Sequence, residues 1–133
     1  GSQIERTKSI KAISGAGLLN DRHFKEKNTE RSQITLIQIE NINQYNKKYN
    51  ENIPALSFRR NLVTEGINLN NLVGKSFLIG KVKVKGHDLC RPCKHLQELL
   101  NKKNIIKEFL KKGGLRCEII SDGIISENDE IIC

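Results

Sequence analysis

Cys90 and Cys93, set three apart in Leu89-Cys90-Arg91-Pro92-Cys93-Lys94-His95-Leu96, are the residues of this chain best suited to chemistry. Pro92 has a fixed φ and biases Arg91 toward an extended conformation, so the turn ahead of Cys93 is stiff. Cys93 then falls near the start of an apolar-periodic segment that reads as a helix, among Arg91, Lys94 and His95. Helix dipole and positive charge both favour thiolate over thiol there. A thiolate is a nucleophile and a soft metal ligand. The plainer alternative is a small buried residue, a role that cysteine often fills.

The Cys90-x-x-Cys93 spacing invites two further readings. Zinc normally takes a second ligand pair, whereas Cys117 and Cys133 stand apart, which argues against a structural zinc site. A thioredoxin-type dithiol would follow a strand in a βαβ pattern, and the rest of the chain lacks that alternation. His87 and Asp88, just upstream, read best as part of a solvated turn, with ligand or base as the alternative.

A second constellation is Phe58-Arg59-Arg60-Asn61-Leu62-Val63-Thr64-Glu65-Gly66-Ile67. Adjacent arginines in an extended segment point to opposite faces, so one can join a buried polar network while the other reaches a ligand. Arginine forks suit phosphate and carboxylate, and Asn61 and Thr64 add neutral polar contacts. Pairing of Arg59 and Arg60 with acids on a solvated surface is the alternative.

Charge distribution points to an anionic ligand or partner. Between Lys75 and Lys112 there are 11 lysines and arginines against three acids, a net +8, while the remainder balances at 12 against 12. The whole excess therefore surrounds the Pro-Cys motif. With 5% aromatic residues and no recognised nucleic-acid motif, stacking platforms are scarce, so nucleic acid is a poor candidate. A solvated lysine-rich face is the simpler account of any single lysine.

These residues need a frame, and 133 residues suffice for one domain with an adequate core. No run approaches the length of a membrane span and no signal-peptide core is present, so a reduced, cytoplasmic protein without membrane association is expected. Four cysteines without a secretory signal argue against a disulfide scaffold. Gly1-Ser2 reads as a cloning scar and is set aside.

Mostly short strands joined by turns are expected. Lys8 to Ser14 reads as a strand closed by Gly15 and Gly17, and Ser32 to Gln38 as a second. Ile39 to Tyr49 reads as a short helix, broken by Asn50 to Pro54. Lys75 to Ile79 and Lys81 to Lys85 read as a hairpin about Gly80, with Val82 and Val84 inward and the lysines out. Leu96, Leu99 and Leu100 share a helical face, as do Ile105, Ile106, Phe109 and Leu110, with a break at Asn101 to Asn104 and a stop at Gly113-Gly114. Leu115 to Ser121 and Ile124 to Ile132 read as a closing hairpin about Asp122-Gly123. Many short strands with a small helical insertion suggest a β-barrel.

Six pieces in order carry a resemblance: Gly17-Leu18-Leu19-Asn20-Asp21-Arg22-His23, Gln33-Ile34-Thr35-Leu36-Ile37, Arg59 through Ile67, Leu72-Val73-Gly74-Lys75-Ser76-Phe77-Leu78-Ile79-Gly80, Leu89 through Leu96, and Gly113-Gly114-Leu115-Arg116-Cys117. Together they closely resemble small stand-alone MOSC domain proteins, named from the molybdenum cofactor sulfurase C-terminal domain. The resemblance covers residues 3–133 as a single domain. It implies a closed, mostly antiparallel β-barrel of the pyruvate-kinase-like type with a few short helices. Members bind the pyranopterin molybdenum cofactor or handle sulfur destined for it, and some relatives reduce N-hydroxylated compounds at that metal.

The family's characteristic cysteine follows the proline and corresponds to Cys93. The resemblance makes it the catalytic residue, either as molybdenum ligand or as bearer of a persulfide. Arg59, Arg60, Asn61 and Thr64 match the family's cofactor-side segment, while Cys90 occurs only in some members. Sulfurases join this domain to a pyridoxal-phosphate-dependent desulfurase, and the reductases carry an extra N-terminal barrel. Neither addition stands in this sequence, so binding with a partner or as a dimer is expected. Three functions remain open: a cofactor carrier or small molybdenum-dependent reductase, a sulfurtransferase module fed by a separate cysteine desulfurase that supplies the pyridoxal phosphate, and a non-catalytic anion- or partner-binding module. A molybdoenzyme is a further partner the resemblance implies.

Overall fold

A computed structural model describes residues 2–3, 9–19, 33–58, 60–90, 108–109 and 112–133. The strands are β1 (Ser2–Gln3), β2 (Ser9–Ile13), β3 (Gly17–Leu18), β4 (Ile34–Gln38), β5 (Leu62–Thr64), β6 (Ser76–Ile79), β7 (Val82–Leu89), β8 (Leu115–Ile119), β9 (Gly123–Ser126) and β10 (Ile131–Ile132). An α-helix, α1 (Ile39–Tyr49), follows β4 directly. Arg59, Cys93, Leu96 through Ile106 and Leu110 lie outside the described residues.

The fold is mainly β, with the strands in two sheets. A seven-stranded sheet runs β1-β5-β4-β8-β7-β6-β10, and a three-stranded sheet runs β3-β2-β9. Among the described residues β1 and β10 remain the edges of the larger sheet, so a single closed ladder is not formed. Pairing is antiparallel except at β4 and β5, which run parallel. A parallel neighbour needs a crossover, and α1 supplies it. Ser2, set aside on sequence, pairs with Thr64 as part of β1.

The sheets enclose one core. Ala12, Leu18 and Ile125 of the small sheet pack with Leu36, Val84 and Leu115 of the large one. Two hydrogen bonds fasten the β2–β3 turn over β8: Gly15 N–H donates to the Ile119 carbonyl (3.3 Å), and the Ser14 hydroxyl to that of Ile120 (3.1 Å). On the other side, α1 buries Ile42 and Tyr45 over β4 and β5. Tyr45, Tyr49, Phe58 and Phe109 stack there with ring centroids 4.8–5.5 Å apart. The helix ends at Asn50, which adopts the left-handed conformation (φ 53°) and donates its N–H to the Asn46 carbonyl. The Asn46 side chain then holds Ile53 through two 3.0 Å bonds, fixing the return of the chain toward β5.

The β6–β7 hairpin forms as expected. Ile79 pairs with Val82 around a two-residue loop whose first member, Gly80, has φ 59°. Val82 and Val84 are buried while Lys81, Lys83 and Lys85 are exposed.

The closing hairpin does not form. β8 and β9 belong to different sheets, β9 pairing with β2 instead. Asp122 is taken up by the neighbouring turn, its Oδ1 accepting from Ser14 N–H at 2.6 Å, so Asp122-Gly123 steps between sheets rather than folding back. The run Ile124 to Ile132 is likewise two strands. Asn128 at φ 70° turns the chain, and β10 pairs with β6.

Candidate functional site

Three segments distant in sequence meet at the end of β7. Cys90 N–H donates to the Gly114 carbonyl at 2.7 Å, and Arg60 Nε donates to the Gly113 carbonyl at 2.8 Å. The segment entering β5, the turn entering β8 and the segment leaving β7 are thereby tied together. Gly114 makes the approach possible: its φ is +115°, and a Cβ there would collide with the Leu36 carbonyl.

A polar row crosses the outer face of the large sheet beside this junction. In β8, Leu115, Cys117 and Ile119 are buried, whereas Arg116 and Glu118 are partly exposed on the opposite face. Arg116 stands opposite Thr35 of β4 on one side and Asp88 of β7 on the other. Its Nη2 donates to Asp88 Oδ2 at 2.8 Å. A register shift between Gly86 and Asp88, a bulge, brings Asp88 into line, while His87 Nε2 lies 3.0 Å from Glu118 Oε1. His87 and Asp88 thus sit in a strand, Asp88 ion-paired with Arg116 and His87 against Glu118, rather than in the solvated turn expected from sequence.

Asn61 extends the row. Its Oδ1 accepts from Thr35 N–H (2.7 Å) and from the Thr35 hydroxyl (3.1 Å), and its own N–H donates to that hydroxyl oxygen (3.0 Å). Thr64 is fully buried, with its hydroxyl donating to the Ile37 carbonyl at 3.3 Å. Both side chains hold the segment from Asn61 to Thr64 against β4. Arg116 Nε is buried and has no hydrogen-bond partner among the described residues.

Burial pushes the Cys90 thiol above its ordinary pKa, and the Arg60 and Arg116 guanidinium groups oppose that rise. Both arginines are therefore close enough to act on a sulfur at the end of β7. Burial also pushes Cys117 up, with Cys90 adding to the effect. Neither is an activated thiol, and Cys90 fits the packed role. Cys133 is exposed. Among the described residues no group of three or more His, Cys, Asp or Glu is placed to hold a metal ion.

Of the residues singled out on sequence, Arg60, Asn61 and Thr64 are gathered along one edge of β4, while Arg59 and Cys93 fall outside the described residues. Sequence reasoning missed Arg116. Strand alternation through Leu115–Ile119 signals its outward face, but only the register shows that it sits between Thr35 and Asp88. A separate cavity of ≈ 210 Å³ lies against α1, lined by Asn41, Gln44, Tyr45, Lys48, Glu108, Phe109 and Lys112, and shares no residue with this cluster.

A family model described as MOSC domain matches residues 20–132. No curated protein matches the sequence. Among solved structures, the YuaD protein of Bacillus subtilis superposes with a TM-score of 0.79 at 19% identity, over 94% of this chain and 84% of that one. YiiM of Escherichia coli gives 0.77 at 18% identity, over 98% of this chain and 67% of that one. A hypothetical protein gives 0.75 at 19% identity over 92% of this chain, which spans 59% of that protein's length. At such identities the likeness is one of fold. No helix among the described residues is long and apolar enough to cross a membrane.

Proposed function

The chain belongs to the MOSC domain family, and from that membership we propose that it is a molybdenum-cofactor protein in which Cys93 supplies the metal-ligating thiolate. The observation that carries the reading is the convergence of Arg60 and Arg116 on the end of β7, where the Arg91-Pro92-Cys93 segment departs. Cys93 follows Cys90 by three residues, so covalent geometry alone keeps their Cα atoms within about 11 Å.

The donor set fits an anionic, thiolate-seeking group. Arg116 carries a buried Nε–H with no partner among the described residues, and Arg60 is fixed by the Gly113 backbone carbonyl. When bound, the cofactor would bring a redox-active metal with affinity for soft thiolate. Arg59 and Arg60 hold its phosphate in this reading, while Asn61 and Thr64 keep that segment seated on β4. The exposed lysines of β7 give the approach a positive potential. Closure of the two sheets into a barrel belongs to the same proposal.

The test is metal analysis of protein expressed in a host that makes the cofactor. Molybdenum should copurify with the parent and with Cys90→Ser, and be lost from Cys93→Ser. A persulfide on Cys93 without molybdenum would instead assign sulfur transfer, and neither would leave an anion-binding module.

A further inference from the structure

We propose that Arg116 is a second oxyanion-binding arginine, acting with Arg60 on a phosphate-sized group at the outer face of the large sheet. This rests on the proposed cofactor site and extends it to a residue outside the Arg59–Thr64 segment.

A charged donor left unmet in a buried position is costly, so its persistence calls for a partner that arrives later. Arg116 Nε is such a donor among the described residues. Its side chain as a whole remains 35% exposed, which leaves the guanidinium reachable from solvent. Asp88 takes only the Nη2 corner, at 2.8 Å, from the directly opposite position in β7. That contact fixes the plane of the fork and leaves the buried Nε without a hydrogen-bond partner among the described residues. On the other side stands Thr35, whose hydroxyl is already engaged with Asn61, so among the described residues Asp88 is the acid that orients Arg116 and no second acid is paired with it. Arg60 is anchored similarly, by Nε on the Gly113 carbonyl. Arg60 Nε lies 3.5 Å from where a Cβ on Gly114 would stand, two residues before Arg116, so the two cations sit together at the start of β8, and both oppose the rise of the Cys90 pKa. Planar forks held by neighbours suit a tetrahedral oxyanion better than mobile lysines do.

The oxyanion is a phosphate monoester, whether the cofactor's own or free inorganic phosphate, and two arms separate these sources. In the first, inorganic phosphate is titrated into the full chain by calorimetry. In the second, cofactor loading is read from molybdenum content after expression in a cofactor-making host. Arg116→Gln should weaken one or both by about tenfold or more, while Lys47→Gln, at an exposed position of α1, changes neither appreciably. Asp88→Asn decides between a binding role and a mere brace. Removing a negative charge beside the anion should keep or tighten binding, whereas breaking a structural brace would weaken it as much as Arg116→Gln does.

Loss confined to loading names the cofactor as the source, and loss of phosphate binding as well names the shared group. Phosphate binding that depends on Arg116 in a parent that loads no molybdenum would sink the cofactor reading and keep this inference. Parent-like behaviour of Arg116→Gln in both arms would overturn it, as would equal weakening by Asp88→Asn. If Arg116→Gln does not fold, judged by its circular dichroism, the sign of the Asp88→Asn effect still decides.

Discussion

The cysteines divide by environment. Cys90 and Cys117 are buried, and loss of hydration disfavours their charged forms, so both thiols stay protonated at neutral pH. Cys93 has the opposite setting in the sequence, a stiff turn among cations. Alkylation near pH 7 should therefore label Cys93 fastest, with Cys90 and Cys117 modified only on unfolding; mass mapping that finds Cys90 labelled first would contradict this. The same burial has a pH consequence. Unfolded thiols ionise near 9.0, whereas the folded pair hold their protons to higher pH. Stability is thus fully present below pH 9 and falls as pH rises above it. Urea midpoints between pH 8 and 10 should drop, and drop less steeply in Cys117→Ala, although that variant is less stable throughout. A parallel decline in both proteins would assign the effect elsewhere.

At the scale of elements, turn chemistry does the positioning. Gly113-Gly114 was legible as a stop signal, but not as the turn that presents one carbonyl to Arg60 and another to Cys90. Gly114→Ala should cost about 2 kcal/mol or more, because a left-region φ and a collision with the Leu36 carbonyl act together. Gly15→Ala should cost only about 1 kcal/mol, since its φ of +74° is strained but no atom lies within 4 Å of the added methyl. Chemical denaturation of the two variants compares them, and equal losses would remove the collision from the account. The boundaries of α1 and the β6–β7 hairpin were readable because each follows from local periodicity and a local turn. The Asp122-Gly123 step was not, because its outcome is decided by Ser14, 108 residues away. Arg116 illustrates the same limit: its strand and face are local facts, while its neighbours Thr35 and Asp88 are not.

Over the whole molecule, two sheets share one core, and α1 closes a second, aromatic cluster on the far side. Circular dichroism should accordingly show more strand than helix. A helix-dominated spectrum would contradict the architecture. The basic excess between Lys75 and Lys112 falls partly on exposed alternate positions of β7, which places a positive rim on the strand that leads to Cys90. Mainly-β character and family were legible in the chain, since they rest on ordered motifs and strand-length runs. The split into two sheets was not, since it rests on which edges pair.

The central claim, that Cys93 loads the molybdenum cofactor with help from the arginine cluster, is tested most directly by native mass spectrometry of the protein purified from a cofactor-making host. The parent and Cys90→Ser should carry the mass of the molybdenum pterin, and Cys93→Ser should not. A parent free of pterin, or a Cys93→Ser protein that carries it equally, would contradict the account.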